Sequence, residues 1–327
     1  MSPSLAELGE AELLRRLARF APPGQLDDDT ACLAPDSRAL IVNTDVLVDG
    51  IHFSDGTTGA DDAGWRAVAA NLSDLAASGA TSVEGITVGL VAPGDTPWRW
   101  VEGVYNGIHA ALQQFGGDLL GGDCSSGSER VLAITALGRL GPLRLLRHGA
   151  EPGDLLMTSG PHGLSRLGLA LLRDEVDPSS SDLSAELQRQ AIERHRRPVP
   201  RFDALNELLR CKPADLPWRA GGTDSSDGLL AAVQGLCQAS GCGAVLQRSE
   251  LPRPSGWPQG ERWDDWCLAG GEDFELVLTL PQAWADAWQQ LVPGSRCLGQ
   301  MTADKDQILW DDATPMTVHG GFDHYQS

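Results

Sequence analysis

Apolar residues recur at Trp65, Val68, Leu72, Leu75 and Ala76 through the stretch DDAGWRAVAANLSDLAASGA, a near-helical period that predicts a helix over 61–78. One of its acidic starting residues, Asp61 or Asp62, would cap it. The N-terminal MSPSLAELGEAELLRRLARF places Leu13, Leu14 and Leu17 on one side and reads as an amphipathic helix. Strands are expected at 39–46, 82–91 and 130–140, and a further helix at 98–115. HGAEPGD, residues 148–154, is a Gly/Pro turn between the strand-like runs RVLAITALGRL and LLMTSG, so a domain boundary is expected there, with domains 1–147 and 148–327. Beyond the turn the pattern predicts helices near 163–174, 183–195, 201–210, 227–240 and 281–291. Strands are expected there at 155–159, 243–247, 274–280 and 296–300. The polar DEVDPSSSDLSAE reads as a surface loop. Helices and strands mix without strict alternation, which favours an α+β fold over a doubly wound sheet. No short-period repeat is present.

The chain has 327 residues, a length that suits two domains, and 42% of them are hydrophobic, enough for real cores. Its formal net charge of −20 argues against nucleic acid and anionic membranes as partners, because both bind cationic surfaces. Only Lys212 and Lys305 are lysines, so the cations are almost all arginine. Seven scattered cysteines without a CxxC pair suit reduced thiols in a cytoplasmic protein. The N-terminus lacks an apolar core of signal-peptide length, and no run approaches the roughly 18 apolar residues of a membrane span.

The informative feature is where the acids fall. Asp74 sits on a helix face of Ala, Ser and Gly, with no Lys or Arg within seven residues. LDDDTACL holds Asp27, Asp28 and Asp29 before a small apolar run, and Asp45 lies in the strand-like NTDVLVDGIHF. Asp123 follows Gly-Gly in LLGGDCSSG, and Asp224 and Asp227 open a helix in GGTDSSDGLLAA. Each has an ordinary explanation: a cap for the Asp224/Asp227 pair, a solvated turn for the triplet, turn chemistry after Gly-Gly. Asp74 is the hardest to explain structurally, and five such sites in one chain are harder still. Carboxylates facing one cavity repel unless cations neutralise them, and hard divalent ions, Mg²⁺ above all where phosphates share the coordination, are the natural partners.

If phosphate is bound, the usual holders are missing. There is no G-x-x-x-x-G-K-[ST], neither Lys lies in a Gly-rich loop, and the protein-kinase set is absent. No G-x-S-x-G elbow occurs, no Cys has an activating context, and Asp45 lacks the D-x-D spacing of aspartyl-phosphate enzymes. Phosphoryl chemistry would therefore rest on metals, Arg, backbone N–H groups and helix N-termini.

The motifs Asp28-Asp29-Thr30-Ala31, Thr44-Asp45, Gly50-Ile51-His52-Phe53, NLSDLAASGA, GGD at 121–123, RHGAEPGD, RRPVPR, SDGL at 226–229, GGEDFEL and GGFDHY occur in the order in which they stand in thiamine-monophosphate kinases, and the chain resembles that family over nearly its whole length. The resemblance implies the two-domain fold shared with aminoimidazole ribonucleotide synthetase, in which the N-terminal domains of two subunits pair to build a β-barrel across a homodimer. It implies an ATP- and Mg²⁺-binding, dimerising N-terminal domain and a C-terminal domain that completes the site. The implied reaction converts ATP and thiamine monophosphate to ADP and thiamine diphosphate. Metal positions carried over are Asp29, Asn43, Thr44, Asp45, Asp74, Asp123, Asp224 and Asp227, with Asp74 bridging ions between the ATP phosphates. Nucleotide positions are Tyr105, Gly122, Asp123, Arg147 and Ser226. Positions for the thiamine phosphate are His52, Glu272 and Phe322. The chain departs from the family where Asn43 replaces a frequent Ser, where Asp27 replaces the Gly before the acidic pair, and where Cys124-Ser125-Ser126 replaces a Thr-rich run. Without the family, His52, Glu272, Phe322 and Arg147 read equally as a structural His, a turn acid, a core plug and a surface ion-pair partner.

On this reading the nucleophile is a substrate phosphate oxygen, already anionic at pH 7, so no catalytic side chain is expected and transfer is direct and in line. Several Mg²⁺ ions would neutralise carboxylates and phosphates and align donor with acceptor. Rival readings fare worse. Selenophosphate synthetase needs a reactive Cys or selenocysteine and a Lys near its N-terminus, and the first 31 residues hold neither. A Ca²⁺ buffer needs the D-x-D-x-D-G loop, which is absent.

Overall fold

In a computed structural model, which describes residues 2–27, 30–179, 183–305 and 307–316, the chain divides into two units. The first comprises Met1–Leu75 with Ala80–Leu140, the second Ala76–Gly79 with Gly141–Ser327.

The first unit opens with α1 (Leu5–Leu8) and α2 (Glu10–Leu17). The single N-terminal helix read from the sequence is thus broken, and Gly9, at φ 71°, is the break. Leu13 and Leu17 are buried while Leu14 is exposed, so the apolar stripe is narrower than expected. Then come β1 (Leu40–Val48), α3 (Ala60–Ala77), β2 (Ala80–Ala92), α4 (Trp98–Phe115), β3 (Asp118–Ser126) and β4 (Val131–Leu140). The α3 helix starts at Ala60, so Asp61 and Asp62 lie in its first turn and favour it through the helix dipole rather than as caps.

The four strands form a sheet in the order β1-β4-β2-β3, antiparallel except for the parallel β2–β3 pair. The turn chemistry expected around Gly121-Gly122-Asp123 is instead an edge strand, because these residues pair with Thr87, Val88 and Gly89. One sheet face buries Leu47, Ile86, Val88, Leu90, Leu132, Ile134 and Ala136. The small residues of α3 serve close helix packing: a Cβ on Gly64 would stand 1.9 Å from the Val104 carbonyl oxygen, and one on Gly107 of α4 would stand 1.8 Å from that of Asp61. The opposite face is open, with Leu40, Val42 and Val46 exposed by 45, 62 and 48%. The sheet does not close into a barrel within the described residues of one chain.

The second unit contains β5 (Leu155–Thr158), α5 (Leu164–Leu172), α6 (Ala185–Arg196), α7 (Phe202–Arg210), β6 (Gly221–Asp224), α8 (Leu229–Ser240), β7 (Gly243–Leu246), α9 (Glu261–Ala269), β8 (Leu276–Leu280), α10 (Gln282–Gln289), β9 (Arg296–Thr302) and β10 (Ile308–Trp310). Its six strands order as β10-β7-β9-β5-β8-β6, antiparallel apart from β10–β7. Alternate side chains feed two cores. Leu156, Val277 and Leu298 pack with α5 and α8, while Met157, Leu276 and Leu278 pack with α7 and α10. Because both faces are covered, β8 is buried along its whole length. All seven cysteines are free thiols. Among the described residues no helix is long and apolar enough to cross a membrane.

Candidate functional site

In the first unit, strand alternation sorts the predicted ligands. Asn43 and Asp45 lie on the helix-covered side of β1, whereas Thr44 points to the open side, its hydroxyl 2.8 Å from that of Thr135. Asn71 of α3, fully buried, receives the Asn43 Nδ2 amide at 3.1 Å and the Asp45 backbone N–H at 3.1 Å on its Oδ1. Its own Nδ2 donates to the Ala67 carbonyl at 2.8 Å, which anchors it. Asn43 Nδ2 also donates to Asp74 Oδ2 at 3.0 Å. Asn43, Asp45 and Asp74 therefore form one polar patch between β1 and α3. The sequence reading missed Asn71, although it lies three residues before Asp74 on the same helical face.

The patch suits a hard cation by its chemistry. Its donors are oxygens, and Asn43 Oδ1 is a buried acceptor without a hydrogen-bond partner. Among the described residues no three His, Cys, Asp or Glu side chains converge as a ready metal cage.

Asp123 falls on a different row. It pairs with Gly89, which aligns with Ala133 and then with Val46, an outward-facing position. The sheet therefore puts Thr44 and Asp123 on the face opposite Asn43 and Asp45. Gly122 is required by close approach, since a Cβ there would stand 2.0 Å from the Val88 carbonyl oxygen. Tyr105 is only 3% exposed, packed against Phe20 with ring centroids 5.5 Å apart. Burial, and then the neighbouring Cys124 thiol, push its hydroxyl far above the usual tyrosine range.

His52 follows β1, and its Nδ1 accepts the Val48 backbone N–H at 3.0 Å, leaving its proton on Nε2. The loop around it is pinned. Arg130 donates to Asp49 at 2.7 Å and Asp55 at 3.0 Å and lies over the Trp100 ring, against which Phe53 stacks. Asp29 and Phe322 lie outside the described residues.

In the second unit, Asp224 ends β6 rather than opening a helix, and its Oδ1 accepts the Ser226 hydroxyl at 2.9 Å. The N-cap of α8 is Gly228, with no side-chain cap, so Asp227 is exposed and Asp224 buried without either performing the capping role. Arg147 is exposed and donates from Nε to Thr223 at 3.3 Å. Arg147, Asp224, Ser226 and Asp227 thus surround one turn.

Glu272 neighbours that turn. Its backbone N–H donates to the Ser226 carbonyl at 2.7 Å, and its own φ is 58°. Its carboxylate lies 3.7 Å from His195 Nδ1, which is also 3.1 Å from the Ser165 hydroxyl. Asp273, fully buried, accepts the Gly163 and Ser165 backbone N–H groups at 2.6 and 3.0 Å at the start of α5. Burial outweighs those bonds and pushes its carboxyl up to about 7. Burial also holds His162 down at about 4, so it is neutral at physiological pH. Sequence reasoning missed His195, Asp273 and Glu275, although the last two belong to the same GGEDFEL motif as Glu272.

The comparisons with known proteins agree with this geometry. Residues 27–140 match the family model described as AIR synthase related protein, N-terminal domain. The chain is 51% identical to the thiamine-monophosphate kinase of Prochlorococcus marinus, over 98% of this chain and 97% of that one. It is 44% identical to that of Synechococcus elongatus, with 98% of both chains covered. A solved structure of AaThiL complexed with AMPPCP and TMP superposes with a TM-score of 0.76 at 26% identity, covering 99% of this chain and 100% of that one. The α+β architecture described above is therefore of the AIR synthase-related kind.

Proposed function

The chain belongs to the thiamine-monophosphate kinase family, and from that premise we propose that it phosphorylates thiamine monophosphate with ATP, yielding thiamine diphosphate and ADP. The observation that carries this is the 51% identity to such a kinase over nearly the full length of both chains. The direct test is formation of thiamine diphosphate from the two substrates, followed by phosphorus NMR. ADP appearing without thiamine diphosphate would reduce the protein to an ATPase and sink the reading.

The division of labour follows from the chain's own groups. Arg147, exposed beside Thr223, would supply a cation for the nucleotide phosphates together with the Ser226 hydroxyl, and Gly122 and Asp123 of strand β3 in the first unit are also assigned to the nucleotide. Tyr105 would act from behind, packing next to Cys124 in that strand. His52 presents Nε2–H, a donor suited to a phosphate oxygen. Glu272 offers a carboxylate for the cationic thiazolium, and Phe322 an aromatic face for the flat ring system. Mg²⁺, when bound, would neutralise phosphate charge and align the reacting oxygens. The residues to hold it are Asp29, Asn43, Thr44, Asp45, Asp74, Asp123, Asp224 and Asp227. Thr44 would serve through its carbonyl, given where its hydroxyl points. We divide the chain into domains 1–147 and 148–327. We place the reaction in the cytoplasm, in keeping with seven free thiols.

Direct transfer has a clear signature. The acceptor oxygen is already an anion, so no side chain need carry the phosphoryl group, and no Asp or His should become labelled. Incubation with γ-labelled ATP without acceptor, then acid quench, should leave the protein unlabelled; stoichiometric label would rule out direct transfer.

The homodimer is part of the same proposal. The open sheet face, with Leu40, Val42 and Val46 exposed, supports pairing with a second copy into a β-barrel, since contiguous exposed apolar surface marks interfaces. Val42→Asp would bury a charge in that interface, and light scattering should then find a monomer at concentrations where the parent protein is dimeric. A dimer that survives Val42→Asp places the interface elsewhere.

A further inference from the structure

We propose that Glu275 is a positioning residue for the thiamine phosphate: fixed by Arg201 and Ser159, it locks the turn that presents Glu272. The inference rests on the assignment of Glu272 to that substrate.

Glu275 is 1% exposed and cannot itself reach a ligand. Its Oε2 accepts the Ser159 hydroxyl at 2.5 Å and a short bond from Arg201 Nη1. Arg194 Nη1 lies 3.5 Å from its Oε1. Arg201 is itself fixed by two bonds to Asp203, at 2.9 and 3.0 Å, and by the Ser159 carbonyl at 3.0 Å. The carboxylate is held so closely that a Cβ on Gly160 would stand 2.7 Å from it. A buried charge with this many partners resists displacement, because moving it would strand it without compensation.

What the carboxylate holds in place is a turn in an unfavourable conformation. Glu272 and Phe274 both have left-handed backbones, at φ 58° and 53°, which L-residues keep only where their surroundings enforce it. Asp273 ties the turn to α5, as described above. The Glu275 backbone N–H donates to Ser225 Oγ at 3.0 Å, and the Glu272 N–H to the Ser226 carbonyl at 2.7 Å. The turn bearing Glu272 is therefore stitched to the turn bearing Asp224 and Ser226, and Glu275 anchors its far end. Loosening that anchor lets Glu272 relax out of its left-handed state, which moves its carboxylate away from the bound cation.

The test is steady-state kinetics on the full chain, varying each substrate separately, for Glu272→Gln, Glu275→Gln and the double variant. Glu275→Gln should raise KM for thiamine monophosphate about ten-fold and leave KM for ATP within about two-fold. Because Glu275 acts through Glu272, the double variant should be no worse than Glu272→Gln, a non-additivity that a general loss of structure would not produce. If Glu272→Gln raises that KM while Glu275→Gln does not, or if the two effects multiply, positioning is overturned and the role of Glu272 stands. If Glu272→Gln leaves the constant unchanged, the assignment of Glu272 fails, and this inference with it. Should melting show that Glu275→Gln does not fold, Ser159→Ala takes its place. It removes one donor to the carboxylate and should raise the same KM about three-fold; an unchanged value overturns the proposal.

Discussion

Asp74→Asn is expected to fold normally and, on the metal role proposed for Asp74, to lose activity by about three orders of magnitude, the loss of several kcal/mol of transition-state stabilisation. Asparagine keeps the size of the side chain and an oxygen where Asp74 Oδ2 now accepts the Asn43 amide at 3.0 Å. The close approach of α3 to α4 is made at Gly64 and Gly107. The variant removes only the charge, and the charge is what Mg²⁺ requires. Turnover at limiting Mg²⁺, alongside a melting curve, checks both halves. Near-parental activity under those conditions would mean that Asp74 has no metal to hold.

The second large effect is on stability. Trp284→Ala should destabilise the second unit by roughly 3–5 kcal/mol, the usual range for emptying a buried aromatic site. Trp284 and Trp288, one turn apart on α10, are both fully buried in the core shared with α7. Their indole N–H groups donate to the Leu208 and Ala204 carbonyls of α7, each at 2.9 Å. Leu208 lies in the last turn of α7, where carbonyls lack helical partners, so the Trp284 bond also closes that helix end. Truncation thus leaves a cavity and a buried carbonyl whose remaining side-chain donor is the weak Cys211 thiol at 3.7 Å. For a unit of this size the melting temperature should fall by about 10 °C or more. Trp284→Phe should fall by less, since it keeps most of the volume and loses the donor. Calorimetry on the three proteins decides the matter, and a drop of under about 2 °C for the alanine variant would show that the site collapses around the loss.

Much of the fold was legible in advance, for a reason that particular elements make plain. The helices at 61–78 and 98–115 and the strands at 82–91 and 130–140 were found within one or two residues of their observed bounds. Their signal is local: a helix or strand long enough to show its period announces itself without its neighbours. The elements not foreseen are β3, β6, α9 and β10, and two of them are created by a strand partner. Strand β3 reads as a Gly-Gly-Asp turn until β2 supplies its hydrogen bonds, and β6 is a four-residue strand of Gly-Gly-Thr-Asp that β8 defines. The start of α8 moved past Asp224 and Asp227 for the same reason, because β6 claims the first of them.

The candidate site divides along the same line. From the sequence alone came the unusual placement of Asp74, the order of the acidic motifs, the exclusion of a P-loop, the expectation of direct transfer, and the family. These depend on which residues stand in the chain and in what order. Only the tertiary structure decided that Asn43 and Asp45 share a face with Asp74 while Thr44 and Asp123 point the other way. A strand's alternation says that neighbours oppose one another, but which side meets the helices is settled by packing. Only the structure, likewise, set Glu272 in a left-handed turn and buried Glu275 between Ser159 and Arg201, residues 116 and 74 positions away. Burial and charge compensation are properties of what surrounds a side chain, and contacts between residues so distant in sequence leave no periodic trace in it.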